Sequence, residues 1–228
     1  MRYAVYLAPA TDSRWWQAGC SWLGRDAALD VAVMQPLLPG ITAERLELLT
    51  RTPARYGWHA TLKAPFAPVA GISEAMLLQQ LSALARRFQP FSLPLQPALL
   101  GDFLALRPVV PSAMLDELAS SCVVALDGLV DPQQVLRPRP GLSERQQQLQ
   151  QRWGYPYVFE QYRCHFTLGD TLADATEAQQ LLQAAERHFA GLPPLLVDRL
   201  ALFVEPQPAS PLRYLASCRF DGVLQHVG

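Results

Sequence analysis

Lysine is almost absent from this sequence: of its 19 basic residues one is Lys, Lys63, and the rest are Arg. Long uncharged runs are missing as well. The longest, Phe88 to Gly101, contains Pro90, Pro94 and Pro97 and cannot make a spanning helix. The apolar N-terminal run Tyr3–Ala8 is too short for the core of an export signal and reads as a strand. The few cysteines, Cys20, Cys122, Cys164 and Cys218, form no C-x-x-C pair and read as reduced thiols, most of them in the core. Neither charge sign dominates, with 19 basic against 20 acidic residues and a net charge of −1. That balance excludes a protein whose main partner is duplex nucleic acid, because such binding needs clustered cations on the phosphates. The expectation is a soluble cytoplasmic protein with no membrane partner. What is abundant is apolar: 50% of the 228 residues are hydrophobic, enough to bury the core of one large domain or two small lobes.

Along the chain, Arg2–Leu7 reads as a strand, and Ser13 caps a helix through Trp15, Trp16 and Trp22 that stops at Gly24. Thr42 to about Leu49 reads as a short helix and Arg55–Phe66 as a strand closed near Pro65. A helix over Glu74–Phe88 follows, then strands at Phe91–Leu95 and Leu99–Arg107, and helices over Ser112–Leu129 and Ser143–Trp153. Gln161–Leu168 reads as extended, Ala175–Phe189 as a helix, and Val197–Glu205 with Arg213–Phe220 as closing strands. Within this order one pattern occurs twice. His59-Ala60-Thr61-Leu62 and His165-Phe166-Thr167-Leu168 lie 106 residues apart, and each precedes an amphipathic helix and further strands. The repeat predicts an α+β fold of two similar halves in residues 1–228, related by a pseudo-twofold, with the motif strands at about 55–66 and 161–169.

Two of only four histidines sit in this H-x-T-L motif. On a strand, alternate residues share a face, so His59 shares one with Thr61 and Lys63, and His165 with Thr167 and Arg163. Facing one another across a cleft, these would present two imidazoles, two hydroxyls and two cations. Cleavage of a phosphodiester, above all a strained cyclic one, needs a base for water and an acid for the leaving oxygen, and two histidines can hold opposite protonation states near neutral pH. Hydroxyls and cations stabilise the charge on phosphorus. Tyr56 and Tyr162, three residues before each His, fall on the opposite face as packing residues. Cys164 likewise points away from His165, and His188 and His226 read as surface residues. No metal-ligand spacing is present, and no cofactor is expected.

These motifs resemble those of the 2H phosphoesterases, which carry two H-x-[ST]-hydrophobic motifs in a duplicated bilobal fold. Tyr56-Gly57-Trp58-His59-Ala60-Thr61-Leu62-Lys63-Ala64-Pro65-Phe66, with Trp22–Asp26 and Arg152–Tyr157, is similar more narrowly to a DUF1045-type, phosphonate-metabolism-associated branch. The resemblance implies two antiparallel sheets flanking a central cleft with helices outside. It also implies His59 and His165 as base and acid, Thr61 and Thr167 as phosphate ligands, and a small phosphorylated sugar or nucleotide as substrate, of which phosphoribosyl 1,2-cyclic phosphate is the specific case. Lys63 and Arg163 join this set through strand alternation, and the loop residues Arg137 and Arg139 as further phosphate contacts. Two alternatives stand beside this reading. One is an RNA 2′,3′-cyclic phosphodiesterase or 2′–5′ ligase-like activity, and the other is binding of a phosphorylated ligand without turnover.

Overall fold

A computed structural model describes residues 1–136, 138–172 and 174–227, so the expected contact from Arg137 lies outside the described residues. The chain opens with β1 (Arg2–Leu7). The Ser13 hydroxyl accepts the Trp16 N–H at 3.1 Å and starts α1 (Arg14–Leu23), which ends at Gly24 in the left-handed region, φ 77°. A short hairpin of β2 (Arg25–Asp26) and β3 (Val31–Ala32) leads to α2 (Ala43–Tyr56). Then come β4 (Ala60–Phe66) with the first motif, α3 (Glu74–Ala85), β5 (Phe91–Leu93), and the hairpin of β6 (Leu95–Leu100) and β7 (Phe103–Pro108). After α4 (Ala113–Ala125) and α5 (Glu144–Trp153), the second motif lies on β8 (Phe166–Thr167). It is followed by α6 (Ala175–His188), β9 (Leu195–Val197) and the antiparallel strands β10 (Arg199–Glu205), β11 (Arg213–Arg219) and β12 (Leu224–His226).

The two halves follow the same course: motif strand, helix, short strand, antiparallel pair. Their sheets meet at one residue pair, Ala60 opposite Phe166, and so fuse into a single antiparallel sheet of order β12-β11-β10-β1-β4-β8-β7-β6. Ala60 and Phe166 are themselves 106 residues apart, so equivalent residues of the two copies pair with each other. β5 and β9 also pair antiparallel, in a small second sheet. The helices are exchanged between halves: α3 packs on β10 and β11, and α6 on β6 and β7. One apolar core runs through both halves, including Trp15, Trp16 and Trp22 of α1 and the four buried cysteines.

Of the boundaries that differ from the sequence reading, three matter most, and two of these shape the site. The segment Leu95–Arg107 is a hairpin turning at Gly101, where φ is 64°. The helix expected to end near Leu49 continues to Tyr56 with Pro53 inside it. Proline has no N–H for the Leu49 carbonyl, and that carbonyl instead accepts the backbone N–H of Asp170 at 2.7 Å. The interruption in α2 thereby fastens the chain just after the second motif. Finally, Tyr162–His165 is not strand-paired. A single 3-10 turn, Phe159–Gln161, precedes it, and pairing begins only at Phe166.

Candidate active site

Trp58 anchors the first motif from behind. It is buried against Phe166 and stacked at 5.7 Å on Phe189, and its ring occupies the place that a side chain on Gly19 would need. Gly57, with φ 79°, turns the chain from α2 into β4. His59 then stands on the opposite side, stacked at 3.8 Å on Tyr6 of β1. Its Nδ1–H donates to the Gly57 carbonyl at 2.8 Å, and its Nε2 lies 3.4 Å from the Thr61 hydroxyl. The second copy repeats the device: the His165 Nδ1–H donates to the Arg163 carbonyl at 2.7 Å, with Phe103 edge-on to the ring at 5.5 Å. A carbonyl can only accept, so both imidazoles carry their proton on Nδ1 and keep Nε2 as the basic nitrogen. His59, Thr61, His165 and Thr167 all line one cavity of about 620 Å³.

Burial lowers His59 to about 4, against the Gly57 carbonyl, which favours the charged ring, and with a smaller contribution from the nearby His165. Burial lowers His165 as well, with the Arg163 carbonyl opposing and Arg107 assisting. Two neutral imidazoles therefore face the cavity of the free protein at neutral pH. Among the described residues no three His, Cys, Asp or Glu side chains are gathered as metal ligands.

The structure does not bring Lys63 or Arg163 to this cavity. β4 bulges against β1: Thr61 opposes Tyr6 and Lys63 opposes Val5, so two steps on one strand match one on the other. The bulge turns Lys63 onto the back of the sheet, where it is 4% exposed near Cys122, Asp127 and Arg152. Its ammonium has no hydrogen-bond partner among the described residues, and burial lowers its pKa. Arg163 precedes β8, where pleated alternation does not apply. It is exposed and donates to the carbonyls of Glu160 and Tyr162 at 3.0 and 2.7 Å. Arg139 does line the cavity, 4.9 Å above the Tyr155 ring.

Tyr56 also departs from expectation. It closes α2 instead of sitting in a strand, and it lines the cavity 6.2 Å from the His59 ring; Tyr162 packs, partly buried, against the core. His188 is not a free surface residue, since its Nε2 bonds the Ala18 carbonyl at 2.9 Å. Arg2 and Arg55 are cavity residues that sequence reasoning missed. Arg55 adjoins the motif, but the signal that places both, a shared acidic partner 150 or more residues away, is invisible in a one-dimensional pattern.

A family described as "Protein of unknown function (DUF1045)" matches residues 61–213, about two thirds of the chain. The chain belongs to the DUF1045 family. The matched region holds Thr61, His165 and Thr167, with His59 two residues upstream. Among curated proteins, the chain is 50% identical over 213 residues to "Ribose 1,5-bisphosphate phosphokinase PhnN" of Laribacter hongkongensis (strain HLHK9), covering 93% of this chain and 50% of that protein. It is 43% identical over 231 residues to the protein of the same name from Janthinobacterium sp. (strain Marseille), covering 97% and 51%. The DUF1045 chain thus spans about half the length of the curated relatives it matches. Among solved structures, E. coli LigT complexed with 3′-AMP is similar with a TM-score of 0.39 and 15% identity, over 93% of this chain and 92% of that one.

Proposed function

We propose that this DUF1045 chain is a 2H-type phosphodiesterase that hydrolyses a small cyclic phosphate by two-histidine acid–base catalysis. The observation that carries the reading is the paired Nδ1–H donation to backbone carbonyls, which leaves two basic Nε2 atoms and two threonine hydroxyls on one cavity. One imidazole takes a proton from water as its oxygen attacks phosphorus. The bond from phosphorus to one ring oxygen breaks, and the second imidazole, protonated, gives that oxygen its proton. Thr61 and Thr167 hold the non-bridging oxygens. The product is a phosphomonoester beside a free hydroxyl.

The relatives' name suggests the substrate. These 228 residues encode no Gly-Lys-Ser/Thr phosphate loop, since the one Lys follows Leu62, so nothing in them carries that hallmark of a nucleotide-dependent kinase. In relatives named as kinases for ribose 1,5-bisphosphate, a hydrolase region like this chain is coherent if it supplies that compound. Opening a 5-phosphoribosyl 1,2-cyclic phosphate at the bond to O2 does so. A second reading has its own support: the cavity sets arginines on aromatic rings, Arg55 on Tyr56 and Arg139 on Tyr155, which also suits a nucleobase.

The test is turnover, in excess EDTA, of ribose cyclic phosphates against 2′,3′-cyclic nucleotides. Preference for the sugar phosphate is expected; preference for the nucleotides would select the second reading, and no turnover of either would leave only ligand binding. His59→Ala and His165→Ala should each lower turnover roughly 10²–10⁴-fold. Because both imidazoles are neutral at pH 7 and the working form holds one proton, kcat/KM should rise as pH falls below 6.5. It should drop again near 4, where His59 protonates. An optimum above pH 8 would contradict this.

A further inference from the structure

We propose that Arg2 and Arg55, held on the buried carboxylate of Glu205, form a subsite for a second phosphate that the reaction leaves intact. The substrate would then be a cyclic phosphate carrying a terminal phosphomonoester, and this inference rests on the phosphodiesterase reading above. Glu205 ends β10 directly opposite Arg2 of β1 and is 1% exposed. One carboxylate oxygen accepts from Arg2 Nε. The other accepts from Arg55 Nη2 and from the Ala209 N–H at 3.1 Å. Arg55 Nε also donates to the Ala209 carbonyl at 3.0 Å. Strand, helix end and loop thus converge on one buried acid, and the two guanidiniums are fixed by it.

One carboxylate shared by two arginines leaves a net charge of +1, and both arginines line the cavity. Among the described residues, neither Nη of Arg2 nor Nη1 of Arg55 makes a further hydrogen bond. Planar donors fixed in pairs suit a phosphomonoester, which offers three oxygens to converging N–H groups. They are ill placed for the reacting phosphate, because Arg2 lies four residues, about 13 Å, along β1 from Tyr6, the ring under His59. Tyr56 spans the interval, with the Arg55 guanidinium 4.9 Å from its ring and His59 6.2 Å from it. The cavity therefore has an arginine end and a histidine–threonine end with an aromatic wall between, as a sugar phosphorylated at both ends requires.

The experiment titrates ribose 5-phosphate and ribose into wild type and into Arg55→Gln, Arg2→Gln and His165→Ala, with folding checked by circular dichroism. Arg2→Lys keeps a cation for Glu205 while removing the planar donors, and it serves if the Gln variants do not fold. Ribose 5-phosphate, but not ribose, should bind wild type and His165→Ala, and the arginine variants should weaken that binding roughly 10- to 100-fold. Unchanged affinity in the arginine variants, or loss confined to His165→Ala, would overturn the subsite. In turnover, Arg55→Gln should raise KM for the 5-phosphorylated cyclic substrate and leave KM for the same ring lacking that phosphate unchanged. Equal effects on both would overturn the subsite as well. If wild type turned over neither substrate, the phosphodiesterase reading would fall instead, and the titration would still decide whether the arginines hold a phosphate.

Discussion

His59 shows how one residue ties function to stability. In the folded chain it titrates at about 4, whereas an unfolded histidine titrates near 6.5. Between these values the unfolded state binds a proton that the folded state refuses, so stability falls as pH drops from about 6.5 to 4, by at most about 3 kcal/mol from this group. His59→Gln should remove that part of the loss. Denaturant midpoints for both proteins at pH 7, 5.5 and 4.5 measure it, and parallel pH dependences would show that His59 is not held neutral by its surroundings. At this scale the sequence was informative where chemistry is scarce: two of four histidines in matching motifs singled out both imidazoles and both threonines. It was silent on Arg2 and Arg55, because their role comes from Glu205, and arginine is too common here to single out any one of them.

At the scale of elements, alternation held over His59–Thr61, at the entry to β4, and then failed. His59 and Thr61 share a face as expected, but the bulge sends the next residue in the series, Lys63, to the back. A bulge leaves no mark in a pattern of polar and apolar residues when the displaced residue is a lysine that could face either way. Once behind the sheet, its ammonium is buried with no hydrogen-bond partner among the described residues, and such a group costs stability. Lys63→Met should therefore be at least as stable as wild type, with a gain on the order of 1 kcal/mol, and should retain turnover within a few-fold. A hundred-fold loss of kcat with the fold intact would mean that Lys63 reaches the phosphate after all. Arg163 misled for a related reason: period-two reasoning was extended into Tyr162–His165, which is not pleated, because β8 is only two residues long. Apart from α2, the long helices, whose caps and apolar stripes are local signals, were read to within a few residues of their ends.

For the whole molecule, the duplication was legible but the way its copies interlock was not. Sequence similarity shows that two units exist, whereas contacts between them depend on exposed edges and faces that each unit offers the other. Here β1 of the first half lies between β4 and β10, and each half's helix covers the other half's strands. A half taken alone would expose a sheet edge and an uncovered apolar face together, which no local propensity offsets. Intact protein should thus unfold in one transition, with tryptophan fluorescence and far-ultraviolet circular dichroism coincident in denaturant. Fragments 1–110 and 111–228 should each lack a cooperative transition when isolated. Two separated transitions, or a cooperatively folded fragment, would show that the halves are independent lobes. The cavity would then be a seam between them, because His59 and His165 come from different halves and line it together only while the Ala60–Phe166 pair holds.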